Sequence, residues 1–181
     1  YDRVIHSKVK GGEAGYHAWA DAARSALRIT IRVKNAPAAT EKLIAGLESR
    51  TDLPLFLQEY VTGWRRDVND WRADKIDPKK APVSELVAKA KELIGHVDPF
   101  QPDLPDVPML RATQYLHEAL NREPTGKHRP EALFLLGLAY GAQKDALLWE
   151  LDGLYFEACI RENPRAEIAK RCFKRLQNDV Y

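Results

Sequence analysis

Methionine occurs once, at Met109, cysteine twice and serine four times in the 181 residues of the chain. None of the serines sits in a Gly-x-Ser-x-Gly elbow, and no Gly-x-x-x-x-Gly-Lys phosphate loop is present. The absence of Cys-x-x-Cys-His excludes covalently attached haem. Long apolar runs are missing as well. The longest uncharged stretch, Ala132 to Gln143, falls well short of the roughly 20 residues that a membrane-spanning helix requires. Neither sign of charge dominates: 28 Lys and Arg against 26 Asp and Glu give a net charge of +2. Dedicated nucleic-acid binders carry a clear basic excess, so no nucleic-acid partner is expected.

The five histidines (His6, His17, His96, His117, His128) are scattered. A di-iron bundle needs Glu-x-x-His pairs, and the nearest approach, Gln114-Tyr115-Leu116-His117, lacks the carboxylate. No catalytic residue, metal or cofactor is therefore assigned, and the chain is read as a non-enzyme. The first residue is not methionine, which leads to the expectation that an anchor or signal segment was removed ahead of Tyr1. The opening residues have no clear period and read as an arm or juxtamembrane linker over 1–15.

What the chain does contain is helical periodicity. Tyr16, Trp19, Ala20, Ala23 and Leu27 recur at spacings of three and four. The β-branched run Ile29, Thr30, Ile31 and Val33 is read as the last turns of that helix, with Asn35 and Pro37 marking the break. Leu43, Ile44 and Leu47 mark a second helix. Thr51 or Asp52 is expected to cap a third, with Pro54 in its first turn and Phe56, Tyr60, Trp64, Val68 and Trp71 as its buried stripe. Basic residues between Arg65 and Lys80 alternate with Asp67, Asp70, Asp74 and Asp77, which predicts ion pairs within the helix. A fourth helix carries Leu86, Ala90, Leu93, Ile94 and Val97.

Pro99, Pro102, Pro105 and Pro108 then follow at intervals of three, the composition of an extended connector near polyproline II. Beyond it four helices are predicted at Met109–Asn121, Arg129–Gln143, Ala146–Arg161 and Ala166–Val180. Their short connections predict antiparallel hairpins. The fold class is thus all-α, divided into an arm (1–15), a helical bundle (16–97), a proline-rich connector (98–108) and helical hairpins (109–181).

The C-terminal part repeats itself. Tyr115-Leu116-His117-Glu118-Ala119-Leu120-Asn121-Arg122-Glu123-Pro124 aligns with Tyr155-Phe156-Glu157-Ala158-Cys159-Ile160-Arg161-Glu162-Asn163-Pro164 at an offset of 40 residues. Between the copies lies Leu136-Gly137-x-x-Tyr140. Residues 110–180 in this way resemble a degenerate tetratricopeptide repeat. Leu136, Gly137 and Tyr140 match the first helix of the repeat, and Phe156, Cys159 and Pro164 match its second. Leu116, Ala119 and Pro124 match the second helix of a preceding copy. The 40-residue offset departs from the usual period of about 34, and the spacing from Gly137 to Pro164 exceeds the family's by about three residues. An ordinary antiparallel bundle, with Gly137 simply permitting close packing, remains an alternative.

The resemblance implies an interaction scaffold for a peptide or protein partner, with Phe134, Leu138, Arg171 and Arg175 lining its concave face. Lys and Asn, which the family's carboxylate clamp would need, are replaced here by Phe134 and Leu138. Other readings stay open: an accessory subunit or enzyme whose site carries no motif, and a self-associating module whose oligomeric state the sequence does not fix. Cys159 and Cys172 fall on either side of the last turn, level with each other in an antiparallel hairpin. Buried free thiols and a disulfide both fit that position. The disulfide, which is the preferred reading, favours a periplasmic or other extracytoplasmic location.

Overall fold

The structure is a computed structural model and describes residues 5, 7–9, 12–95, 106–143 and 151–180. Among these residues all regular structure is helical, as the periodicity requires. Eight α-helices follow in order: α1 (Glu13–Arg28), α2 (Pro37–Glu48), α3 (Leu55–Ala73), α4 (Val83–Gly95), α5 (Asp106–Arg122), α6 (Arg129–Gly141), α7 (Leu151–Glu162) and α8 (Glu167–Val180). They fall into two compact units. Among the described residues, the first holds those up to 75 together with 106 and 107, and the second those of 76–95 and from 108 onward. Helix α4 therefore groups with the C-terminal hairpins, whereas the sequence division placed it in the N-terminal bundle. The proposed connector prolines Pro99, Pro102 and Pro105 lie outside the described residues, as does Val97. Pro108 is helical rather than extended: it sits in the first turn of α5, where a missing N–H leaves no bond unmade.

In the first unit the run after α1 stays helical but widens into a π-wound segment at Ile29–Val33. Asn35 ends it in the left-handed region (φ 45°), a conformation that asparagine tolerates better than most residues. The Ala36 N–H then reaches back to the Thr30 carbonyl at 3.0 Å, and Pro37 starts α2. The expected cap of α3 is corrected: Pro54 is its N-cap, with no side-chain capping bond. The Asp52 carboxylate is occupied elsewhere, accepting from Arg50 Nε at 2.7 Å and from the Val9 N–H at 3.2 Å.

The buried stripe of α3 is Leu57, Val61, Trp64, Val68 and Trp71. Phe56 lies off this stripe and is exposed, with Tyr16 and Tyr60 edge-on to its ring at 5.7 and 6.2 Å. The ion pairs are partly local, Arg66 with Asp67 at 3.5 Å and Lys80 with Asp77 at 3.4 Å, and partly redistributed. Arg65 binds Glu48 of α2 through two hydrogen bonds, Nε–Oε1 at 3.0 Å and Nη2–Oε2 at 2.6 Å. Arg72 binds Glu41 of α2 at 3.0 Å. These two arginines face a neighbouring helix, where a planar fork meets a carboxylate across the interface instead of along its own helix. The N-terminal stretch is tied down at Ile5, which is buried; its carbonyl accepts from Trp19 Nε1 at 3.4 Å and from Arg50 Nη1.

The second unit is organised around α6. Ala132 to Gly137, Ala139 and Tyr140 are all buried, so α6 is apolar nearly all round and takes the central place. It packs against α4, α7 and α8. One core joins Val83, Leu86, Val87 and Ala90 of α4, Ala112, Tyr115, Leu116 and Ala119 of α5, α6 itself, and Phe156, Cys159 and Cys172. Arg122, at the end of α5, donates to the Ala81 carbonyl at 2.6 Å, which fastens the turn before α4.

The 40-residue echo has a structural counterpart. Leu116 and Ala119 are buried in one copy, Phe156 and Cys159 in the other. Both helices stop at the same register, at Arg122 and Glu162. Each is followed by the same hydrogen-bonded turn. The Gly126 N–H binds the Glu123 carbonyl at 3.2 Å, and the Ala166 N–H binds the Asn163 carbonyl at 3.0 Å. The next link repeats too, from Arg129 to Gly126 and from Ala169 to Ala166, each at 3.0 Å. Proline after the helix end interrupts the ladder in both copies, so equivalent sequence produces equivalent backbone.

Ion pairs give this unit an acid-sensitive limb. Arg129 Nε and Nη2 donate to the two Glu162 oxygens at 2.7 and 2.6 Å, and these bonds hold the Glu162 carboxyl below its ordinary range. In the window below about pH 4.5 the unfolded chain takes up this proton first. The pair's contribution is therefore present above the unfolded value and lost as pH falls through the folded one. Urea midpoints measured from pH 7 to 3 should fall less steeply in Glu162→Gln than in the parent. At neutral pH this substitution should cost about 0.5–1 kcal/mol, because the pair is partly solvated.

Candidate functional site

The four residues assigned to a partner surface occupy two helices of the second unit. Phe134 on α6 is 4% exposed and belongs to the core. Leu138, one turn on, is half-buried against the same core. Arg171 and Arg175 stand exposed on α8. The structure brings Phe134 and Arg171 together: the guanidinium carbon lies 4.2 Å from the centroid of the Phe134 ring. At that distance a cation–π contact orients the arginine and hides the phenylalanine. Phe134 thus reaches the surface only through Arg171.

Helix α8 has sharply divided faces. Ala169 and Cys172 are buried, with Ile168 and Leu176 half-buried beside them. At about 100° per residue, Arg171, Lys174 and Arg175 fall in an adjoining arc of about 100°. Lys170 shares that side but is taken by Glu167 at 2.5 Å. Arg171, Lys174 and Arg175 have no carboxylate partner among the described residues. Other cations of the unit are paired, Lys80 to Asp77, Lys89 to Glu92, Lys91 to Glu131 and Arg129 to Glu162, while Lys79, Lys127, Arg161 and Arg165 stand unpaired among the described residues, singly or outside this arc.

Cys172, on the buried side of α8, meets Cys159 of α7. Both are fully buried, their Cα atoms are 6.4 Å apart, and their sulfurs lie at bonding distance. The two residues face each other across the α7–α8 hairpin, as their positions on either side of the last turn predict.

Two polar constellations were not legible in the sequence. In the second unit His117 Nε2 and the Tyr140 hydroxyl are 2.9 Å apart, and the Tyr140 ring stacks on Tyr155 at 5.2 Å. Tyr155 belongs to the 40-residue echo and Tyr140 to the Leu-Gly-x-x-Tyr run, but nothing in the spacing ties either to His117. In the first unit Asp106 is buried between Trp64 and Arg24, accepting from Trp64 Nε1 at 2.9 Å and Arg24 Nε at 3.3 Å. Burial pushes the Asp106 carboxyl above its ordinary range, against the pull of Arg24 and the Trp64 hydrogen bond. Arg24 also lies over the Tyr60 ring, 5.6 Å from its centroid. These three residues come from distant parts of the chain, so no local motif announces them.

Among the described residues no group of three or more His, Cys, Asp or Glu is arranged to hold a metal ion. No described helix is long and apolar enough to cross a membrane. Comparison with protein-family models, curated proteins and solved structures yields no match for this chain.

Proposed function

We propose that the chain is a non-enzymatic protein–protein interaction scaffold whose C-terminal, tetratricopeptide-like hairpins present a surface to a peptide or protein partner. The observation that carries this reading is the recurrence, 40 residues apart, of one helix end and one hydrogen-bonded turn. Stacked copies of a helical unit give an extended surface rather than an enclosed reaction chamber, and this is how helical repeats bind. The unmatched cations of α8 and the ordered Arg171 support placing the partner on that helix.

Co-purification from the native organism tests the reading. A stoichiometric protein partner is the expected result. A tightly bound small cofactor, or turnover of a metabolite without any protein partner, would overturn it in favour of an enzyme.

We place the protein in an oxidising, extracytoplasmic compartment on the strength of Cys159 and Cys172. Two buried cysteines facing each other across an antiparallel hairpin, with Cα atoms 6.4 Å apart, are within the range that a disulfide spans. Thiol titration of the native, unreduced protein in denaturant should therefore find no free thiol. Two titratable thiols would remove the disulfide and, with it, the case for this compartment.

A further inference from the structure

We infer that the exposed face of α8 formed by Arg171, Lys174 and Arg175 docks an acidic polypeptide segment; this rests on the scaffold reading and names the partner's chemistry. Three uncompensated cations within about 6 Å along one helix create a local positive field in a chain that is otherwise nearly neutral. Arg171 is the anchor. Its stacking on Phe134 fixes the guanidinium before any partner arrives, so little side-chain freedom is lost on binding. A fixed arginine fork suits the two oxygens of a carboxylate.

Magnitude decides between the possible anionic surfaces. Anionic membranes are held by clusters of about four to eight Lys or Arg, and duplex nucleic acid by about six to ten phosphate contacts. Three cations are too few for either, but they match a short run of Asp and Glu. The proposed Cys159–Cys172 disulfide holds α8 on α7, so the face is presented by a rigid hairpin.

The test uses the full chain and a fluorescently labelled poly-glutamate peptide followed by anisotropy, with poly-serine of equal length as the control. Saturable binding that weakens as salt rises is expected. It should fall by at least about tenfold in Lys174→Glu/Arg175→Glu, a variant that leaves the Arg171–Phe134 contact intact. Arg171→Glu should have a similar effect, and equal helical content by circular dichroism shows that either variant is folded. Absence of saturable binding, or equal binding by the charge-reversed variants, overturns the assignment. Tighter binding to phosphatidylserine vesicles or to a single-stranded oligonucleotide than to poly-glutamate overturns it as well. A natural partner that co-purifies equally well with the variants would leave the scaffold reading standing while removing this docking face.

Discussion

Asp106→Ala should destabilise the first unit by about 3–5 kcal/mol, the loss typical of breaking a buried ion pair from one side. Asp106 is 5% exposed and Arg24 9%. Removing the carboxylate leaves the Arg24 cation buried with only the exposed Asp21 nearby, at 3.9 Å. It also strips the Trp64 indole N–H of its acceptor. Asp106→Asn should cost less, because an amide oxygen still accepts from Trp64 and the raised carboxyl already makes the buried charge unfavourable. The sign follows from that shift. Between the ordinary and the raised value the folded protein holds a proton that the unfolded chain has released, so stability falls as pH rises through that window. Asp106→Asn removes this dependence. Urea unfolding followed by tryptophan fluorescence reports it, since Trp19, Trp64 and Trp71 are all buried in this unit. A loss below about 1 kcal/mol for Asp106→Ala would contradict the role given to the network.

Gly137→Leu should cost about 3 kcal/mol or more in the second unit, at or beyond the upper end of the overpacking range. A Cβ at position 137 would stand 2.6 Å from Cδ1 and 2.7 Å from Cζ of Phe156, whose ring is 2% exposed. The ring cannot withdraw without disturbing Phe134, 6.1 Å away, or the Cys159 turn of α7. Gly137→Ala should already destabilise, even though alanine is the better helix former. Gly63→Ala provides the contrast: its Cβ would meet nothing within 4 Å in the middle of α3, so the gain in helix propensity of about 0.5–1 kcal/mol should appear undiminished. Thermal unfolding of the three variants measures this. Equal effects at positions 63 and 137 would mean that α6 and α7 do not approach closely at the glycine.

The pattern of expectations met and missed has a physical basis. The helices were legible because apolar residues recur at helical spacing in α1, α3 and α4, and because proline or glycine stands at the breaks between α4 and α8. The Leu-Gly-x-x-Tyr run singled out the glycine that the Phe156 ring now covers, and level positions across one turn brought Cys159 and Cys172 together. Interactions between distant segments were not legible. Arg65 and Arg72 have aspartates close by in sequence, yet they pair with Glu48 and Glu41, because the facing helix offers better geometry for a planar fork. Asp52 reads as a helix cap until Arg50 and the Val9 N–H engage it. Of the surface that the resemblance assigned to a partner, Arg171 and Arg175 are exposed, while Phe134 proves to be a core ring beneath the arginine. No spacing rule tells a groove-lining aromatic from a buried one when the whole of α6 is apolar.

Whether the C-terminal hairpins carry the partner is decided most directly by amide hydrogen exchange on the chain alone and in its natural complex. Slowed exchange centred on α8 and the adjoining surface of α6 and α7, with α1 to α3 unchanged, is the predicted result. Protection confined to the first unit, or a protein that exchanges identically with and without the co-purified component, would contradict it.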